Sequence, residues 1–554
     1  MRTRREWRIG LGLLLAAALV AAGCTSEGGG GADDTSGSSE STVTTVAATC
    51  DPPADTTPVD VTPVPGSATD VDMVSFDGTV IRAHWFPLPG ATADEPAPTV
   101  LMGPGWSLPG DTDPEAVGVL GAIDIASLQA AGYHVLTWDP RGFGESTGVA
   151  QVNSVDAEAR DVQQLLDWVA TLEAVELDAE RDPSVGMVGG SYGGGIQLVT
   201  AAVDCRIDAL VPIVAWHSLQ TSLFKAETVK TGWATKLTDA SADGTVDPHV
   251  TSARDSGLST GTLSDEDRQW FLDRGPGELV EQITVPTLII QGTVDTLFTL
   301  DEGVTNYLIL EGNDVPVAML WYCDGHGVCL TDPGDPQRVS DAAIAWLDRY
   351  VKGDNDAEVV AGFDVIDQHG VRYSAERYTE ADGERLTATG SGSLDLVAGG
   401  GAGPVAIPPD NQALLSGLVQ SITPAPAVNA VDVELVVEGG PYLVVGAPEV
   451  TIEYRGTAGT GDRPQRIFAQ LVDESTGLVI GNQITPIPVE LDGETHTITV
   501  PLEMVAFSAE PGTTITLQLV ATTVAYAEPQ LGGSIEFDRI ELSLPVATGL
   551  TPVA

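Results

Sequence analysis

Between Thr99 and Val351 the chain repeats one pattern, a short apolar run followed by a turn and a stretch of helical period. TVLMGPG (99–105), HVLTWDP (134–140), SVGMVGGS (184–191), DALVPIVAW (208–216), TLIIQGTVD (287–295) and VAMLWYCDG (317–325) read as strands. IASLQAAGY (125–133), VDAEARDVQQLLDWVATL (155–172), IQLVTAAVD (196–204) and DAAIAWLDRYV (341–351) read as helices. Apolar strands that alternate with helices bury both faces of a mostly parallel sheet, and such sheets offer their ligand sites at the carboxyl ends of the strands. The pattern therefore predicts an α/β fold and says where to look for chemistry.

Three residues fall at those strand ends. In VGMVGGSYGGGIQ (185–197) Ser191 stands between glycines, at the junction of a strand and a helix. Glycine and serine also make ordinary turns, so the motif alone leaves both readings open. Asp295 follows TLIIQGTV, and His326 falls in the loop after VAMLWYCDG. A serine hydroxyl is a weak nucleophile until an imidazole takes its proton, and the imidazole needs a carboxylate to fix its tautomer. The order Ser191, Asp295, His326 is the order of an α/β-hydrolase triad, with Ser191 as nucleophile, His326 as base and Asp295 as the orienting acid. Asp301 is a rival for the acid role; His369 and His496 follow His326 but not a strand of this sheet.

DPRGFGEST (139–147), GGSYGG around Ser191, and the later Asp295 and His326 resemble the X-prolyl dipeptidyl peptidase and cocaine-esterase type of α/β-hydrolase, the CocE/NonD hydrolases. The resemblance runs from Val71 to Lys352 and in outline into a C-terminal β-domain. It implies attack of the serine on an acyl carbon, an acyl-enzyme, and no metal or organic cofactor. It implies also that the oxyanion is held by the main-chain N–H after the nucleophile, here Tyr192, and by a tyrosine hydroxyl from an early loop. This chain has GPGWS in that loop, so Trp106 stands near the tyrosine's place, and its main-chain or indole N–H is the candidate second donor. The implied substrate is a small-molecule ester or a peptide, cleaved by a carboxylesterase or an Xaa-Pro dipeptidyl peptidase. The latter needs acidic groups around the substrate's terminal ammonium, which the sequence does not single out.

Within a catalytic domain spanning 69–352, the interval 217–283 reads as a helical cap, with Trp216, Phe224, Trp233, Trp270 and Phe271 as candidate lining. Residues 353–402 read as a connecting segment ending in the glycine-rich GSGSLDLVAGGGAGP (390–404). Beyond it, 403–554 alternates apolar and polar residues at period two, in VDVELVV, EVTIEYRG, RIFAQLVDE, HTITVPLE, TTITLQLVAT and IEFDRIELSLP. That predicts a β-sandwich, a jelly roll, serving as a structural wall beside the site.

The first residues give an address. Arg2, Arg4, Arg5 and Arg8 precede LGLLLAAALVAA, which ends at Gly23-Cys24, so 1–23 reads as a bacterial lipoprotein signal peptide, with Cys24 lipidated as the membrane anchor and 24–68 as a polar tether. The export route, general or twin-arginine, stays open. The net charge of −54 would repel a phosphate backbone and makes nucleic acid a poor partner; the sequence sets no oligomeric state. A rival from another class is a non-catalytic extracellular lipoprotein that binds carbohydrate or a protein through its sandwich. Removing Cys24 leaves Cys50, Cys205, Cys323 and Cys329, an even number in an exported chain. In CDGHGVC the pair Cys323 and Cys329 brackets His326 and is the favoured disulfide, which leaves Cys50 to Cys205. Such a ring would hold the histidine loop. The alternatives are two buried thiols, or a zinc site through Cys323, His326 and Cys329 that would consume the only well-placed base.

Overall fold

A computed structural model describes residues 66–116, 123–379, 383–408 and 414–553. The signal peptide 1–23, the lipidation site Cys24, Cys50 and the tether up to residue 65 lie outside the described residues. Among the described residues no helix is long and apolar enough to cross a membrane.

The apolar runs form one sheet. Its strands are β1 (Thr69–Val74), β2 (Val80–Phe86), β3 (Thr99–Gly103), β4 (His134–Trp138), β5 (Val185–Gly190), β6 (Ala209–Ile213), β7 (Thr287–Gly292), β8 (Val317–Tyr322), β9 (Phe363–Ile366) and β10 (Arg372–Ala375). They lie in the order β1-β2-β4-β3-β5-β6-β7-β8-β9-β10. From β4 to β9 every pair is parallel, while the flanking β1, β2 and β10 are antiparallel. Both faces are covered, so β3, β4 and β6 are buried along their whole length, as the continuous apolar runs require. Helices α1 (Ile125–Ala130), α2 (Glu158–Val169) and α3 (Tyr192–Val203) alternate with the early strands; α8 (Leu300–Gly312) and α9 (Arg338–Tyr350) flank β8. The segment 363–373, whose direction the sequence leaves open, extends the sheet as β9 and β10. Between β6 and β7 the chain makes the expected helical cap: α4 (Leu219–Leu223), α5 (Thr231–Ala240), α6 (Pro248–Thr260) and α7 (Asp265–Leu272).

The C-terminal region is β-rich: β11 (Leu386–Asp395), β12 (Ala430–Val436), β13 (Tyr442–Gly446), β14 (Glu449–Ala458), β15 (Arg466–Asp473), β16 (Leu478–Pro488), β17 (Asp492–Pro501), β18 (Val505–Ala509), β19 (Thr514–Val520), β20 (Gly533–Leu544) and β21 (Val546–Ala547). Two four-stranded sheets, β11-β20-β14-β17 and β12-β19-β15-β16, enclose a core that includes Ile452, Leu471, Leu517 and Ile540.

Two boundaries differ from the sequence reading. Part of the glycine-rich linker is strand: β11 pairs along its length with β20. A Cβ on Gly390 or Gly392 would lie 2.7 Å from Val433 or Val431, so these glycines let β12 pack closely rather than loosen the chain. Residues assigned to the sandwich also serve the other domain. Val405, Ile407, Val419 and Ile422 pack with Trp233 and Leu297 beneath the cap, and the terminal β22 (Thr551–Pro552) pairs with β10.

Candidate active site

Ser191 follows β5 and caps α3 with φ 57° and ψ −114°, a conformation that a non-glycine residue adopts at a cost in strain. The turn can be this sharp because its neighbours lack side chains: a Cβ on Gly193 would lie 2.1 Å from the carbonyl oxygen of Gly103 in β3. The Ser191 N–H donates to Ile213 O (2.8 Å), and the Ser191 carbonyl accepts from Gly194 and Gly195 (2.9 Å each), fixing the elbow between β6 and the helix.

The structure brings the three strand-end residues together. His326 Nε2 lies 2.8 Å from Ser191 Oγ, and His326 Nδ1 lies 2.7 Å from Asp295 Oδ2. Asp295 is fully buried and its oxygens are further occupied by main-chain N–H donors: His326 on Oδ2 at 3.0 Å, Leu297 and Phe298 on Oδ1 at 2.9 and 2.8 Å. A carboxylate so surrounded can orient the imidazole and stabilise its charge. The edges of Trp233 and Phe298 meet the imidazole with ring centroids 5.8 and 5.1 Å away, which shields it from water. Asp301 does not join this line. It begins α8 and pairs with Lys225 Nζ at 3.1 Å.

Cys323 and Cys329 form a disulfide that closes the loop carrying His326. This removes the zinc and free-thiol alternatives: both sulfurs are oxidised, and both imidazole nitrogens are committed to Ser191 and Asp295. Cys205 is also disulfide-bonded; Cys50, its expected partner, lies outside the described residues. Among the described residues Glu490, Asp492 and His496 bring potential metal-ligand atoms together, but in an exposed patch of the sandwich where His496 already bonds Asp492 at 2.9 Å.

Two clefts open from Ser191. One, about 880 Å³ with its mouth, runs under the cap between Trp216, Leu219, Phe224, Leu237, Phe271 and Phe298; among the described residues Arg254 and Arg268 are its charged lining and no Asp or Glu lines it. The other, about 1130 Å³, is bounded by Gly103 to Trp106, Trp233 and His326, with Asp111 and Lys236 among its polar residues. Of the five cap aromatics proposed as lining, Trp270 instead stacks on His249 and lies under Arg274. The residue after the nucleophile, Tyr192, opens α3, so its main-chain N–H belongs to the first turn, where such groups have no intrahelical acceptor. Trp106 requires a correction: its indole Nε1 donates to Leu237 O at 3.0 Å and is committed to holding α5, which leaves only its main-chain N–H as an oxyanion donor.

Sequence reasoning missed a layer beneath the nucleophile. Glu158, at the start of α2, accepts from the N–H groups of Gln151 (2.5 Å) and Ser154 (2.9 Å) and from the Tyr192 hydroxyl (3.3 Å). Asn153, held at φ 56°, donates Nδ2 to Tyr192 O at 2.8 Å. Burial raises the Glu158 carboxyl to about 7 against these bonds. In the DPRGFGEST motif Arg141 grips Asp161 of α2 with two bonds of 2.7 Å, so this signature is a buried tie rather than a substrate contact.

The sheet order, the strained elbow and the Ser191–His326–Asp295 line define an α/β-hydrolase. Residues 77–326 match the family model described as X-Pro dipeptidyl-peptidase (S15 family), the family that the sequence resemblance implied. Similar solved structures include a CocE/NonD family hydrolase from Staphylococcus aureus, 14% identical with TM-score 0.61 over 86% of this chain and 93% of that chain. An aminopeptidase from the marine sediment archaeon Thaumarchaeota archaeon is 13% identical with TM-score 0.63 over 90% of this chain and 99% of that one. At such identities the likeness concerns the fold, and it includes the β-rich C-terminal region. An uncharacterized 31.7 kDa protein in the traX-finO intergenic region of Escherichia coli is 26% identical over 170 residues, 30% of this chain. The chain spans about half, 55%, of that relative's length.

Proposed function

We propose that this hydrolase is a serine esterase acting through an acyl-enzyme, and that its acyl group is largely apolar and carries no positive charge. Ser191 attacks the acyl carbon as His326 Nε2 takes its proton, Asp295 stabilises the imidazolium, and the main-chain N–H groups of Tyr192 and Trp106 receive the oxyanion. Return of that proton to the leaving alkoxide frees the alcohol, and water then hydrolyses the acyl-enzyme with His326 again as base. Because His326 lines the cleft near Lys236, the leaving group that it protonates belongs there, and the acyl group belongs in the cleft under the cap. The observation that carries the choice of substrate is that, among the described residues, no carboxylate lines that acyl cleft, whereas Arg254 and Arg268 do. An α-ammonium desolvated against Phe224, Phe271 and Phe298 without a counter-charge would be strongly disfavoured, which argues for an ester over an Xaa-Pro dipeptide.

The test compares p-nitrophenyl acyl esters with Xaa-Pro-anilides on the purified chain, alongside fluorophosphonate labelling. Wild type should turn over the esters and be labelled; Ser191→Ala should lose both, with turnover falling by up to roughly a million-fold. Preferred cleavage of the anilides would overturn the substrate class, and labelling retained without Ser191 would overturn the mechanism. Failure of any label would favour a binding protein that keeps the fold without the chemistry.

We also infer an extracytoplasmic protein held at the membrane by lipid on Cys24, a reading supported by the sequence of the first 24 residues. Cys24→Ala should move the protein from the membrane to the soluble fraction, since two or more acyl chains make release slow. Intact wild-type protein found wholly soluble would refute the anchor.

A further inference from the structure

The turn that carries Asp295 and the loop that carries His326 are held in large part by groups from outside the hydrolase sheet. After β7, three successive main-chain carbonyls each accept from a buried side chain. Gln483 Nε2 donates to Asp295 O at 2.8 Å, and Lys230 Nζ donates to Thr296 O and Leu297 O at 3.0 Å each. After β8, Asn482 Nδ2 donates to Val328 O at 3.0 Å, two residues beyond His326. Lys230 comes from the cap, just before α5, whereas Asn482 and Gln483 are neighbours in β16 of the sandwich. All three are buried.

The sandwich reaches this far because β16 is bulged. Gly481 and Asn482 have φ of 64° and 58°, and the register of β15 with β16 shifts between Gln470 and Val472. Two consecutive left-handed residues push the strand out against the loops, where a Cβ on Gly481 would already stand 3.0 Å from Thr293 O. The bulge places two amide donors, one on each loop.

We propose that the Asn482–Gln483 bulge is a positioning element of the active site, fixing the acid turn and the base loop in the register that aligns Asp295, His326 and Ser191. The proposal rests on the triad reading given above. Both donors bond main-chain oxygens, so they set where the backbone lies without supplying charge. Neither residue lines either cleft beside Ser191, so substrate binding is not their direct concern. A displacement near 1 Å of a catalytic group can lower the rate on the order of a hundredfold.

The test uses the full chain with Gln483→Met, which keeps length and burial, and Asn482→Gly, which keeps the left-handed backbone. Each should lower kcat about tenfold and the double variant about a hundredfold, with KM within about twofold and fluorophosphonate labelling slowed in parallel. Ile452→Ala, in the sandwich core away from the loops, serves as the control: it should lower Tm by at least as much and leave kcat within about twofold of wild type. Unchanged kcat in the bulge variants would overturn the proposal, as would an equal loss of kcat in Ile452→Ala, which would mean that stability alone is being read. If one bulge variant does not fold, the other decides by the same criterion. Ser191→Ala keeps the two claims apart, since activity surviving there refutes the triad itself, while its loss with unaffected bulge variants refutes only the positioning role.

Discussion

Two carboxylates six positions apart have opposite fates. Asp295 is enclosed by three main-chain donors and the imidazole, while Asp301 faces Lys225 at the start of α8. Burial, against the attraction of Lys225, raises the Asp301 carboxyl to about 7, so a perturbed carboxyl beside the site is not in itself the acid of the site. The two roles separate on substitution. Asp295→Asn should lower kcat on the order of ten-thousandfold, because an amide no longer enforces the tautomer that leaves Nε2 free to accept the serine proton. Asp301→Asn should lower kcat by less than about tenfold, and steady-state kinetics of both variants checks this. The reverse ranking would assign the acid to Asp301. Trp106 carries a related lesson, for an indole N–H poised in sequence to serve the oxyanion is spent on a cap helix.

At the scale of elements, the elbow depends on what lies below it. The turn 151–154 holds two consecutive left-handed residues, Val152 and Asn153, at φ 60° and 56°, and Glu158 ties that turn to the Tyr192 hydroxyl through the start of α2. Since burial raises this carboxyl in the folded chain to about 7 from an ordinary value of 4.5, folding takes up a proton between those limits. Its contribution to stability is therefore complete below about pH 4.5 and is lost as pH rises through about 7, amounting to at most about 3 kcal/mol. Glu158→Gln removes the titration together with one acceptor oxygen, which leaves a main-chain N–H facing an amide N–H. The variant should be less stable than wild type at pH 5, and the gap should narrow by pH 8. Thermal unfolding of both proteins at the two pH values measures this; a constant gap would mean that Glu158 does not titrate in this range.

At the scale of the whole molecule, the β-rich region is joined to the hydrolase by both polar and apolar contacts. Glu503 reaches Lys225 of the cap at 2.6 Å; burial would raise its carboxyl, but the charges of Lys225 and Lys230 hold it at about 2. Arg466 Nε donates to Thr228 Oγ1 at 3.1 Å, and the side chain and main chain of Gln368 and Ser508 exchange bonds of 2.7 Å. Val445 joins the cluster of Phe363 and Tyr378 that continues the hydrolase core. A buried ion pair broken on one side leaves an uncompensated charge, so the cap, the acid turn and the sandwich are coupled in stability. The candidate active site thus draws on three regions: the sheet carries Ser191, Asp295 and His326 at its strand ends, and side chains of the cap and the β-rich region bond the loops that hold them.

The sequence by itself determined the sheet, the elbow and the strand-end positions of Ser191, Asp295 and His326, because each follows from local chemistry: apolar period, glycine tolerance, and the need to end a strand before a loop. The same locality explains the disulfide of Cys323 with Cys329, whose sulfurs are brought together by a short glycine-containing ring. Local pattern could not reveal that Gly390 and Gly392 accommodate a neighbouring strand, or that the indole of Trp106 is bonded to Leu237. Nor could it reveal that IGNQ (480–483) contacts loops more than 150 positions earlier in the chain. These outcomes were decided by the tertiary structure alone, since a hydrogen bond between groups far apart in sequence leaves no periodic trace in either segment and exists only once packing has brought donor and acceptor within reach.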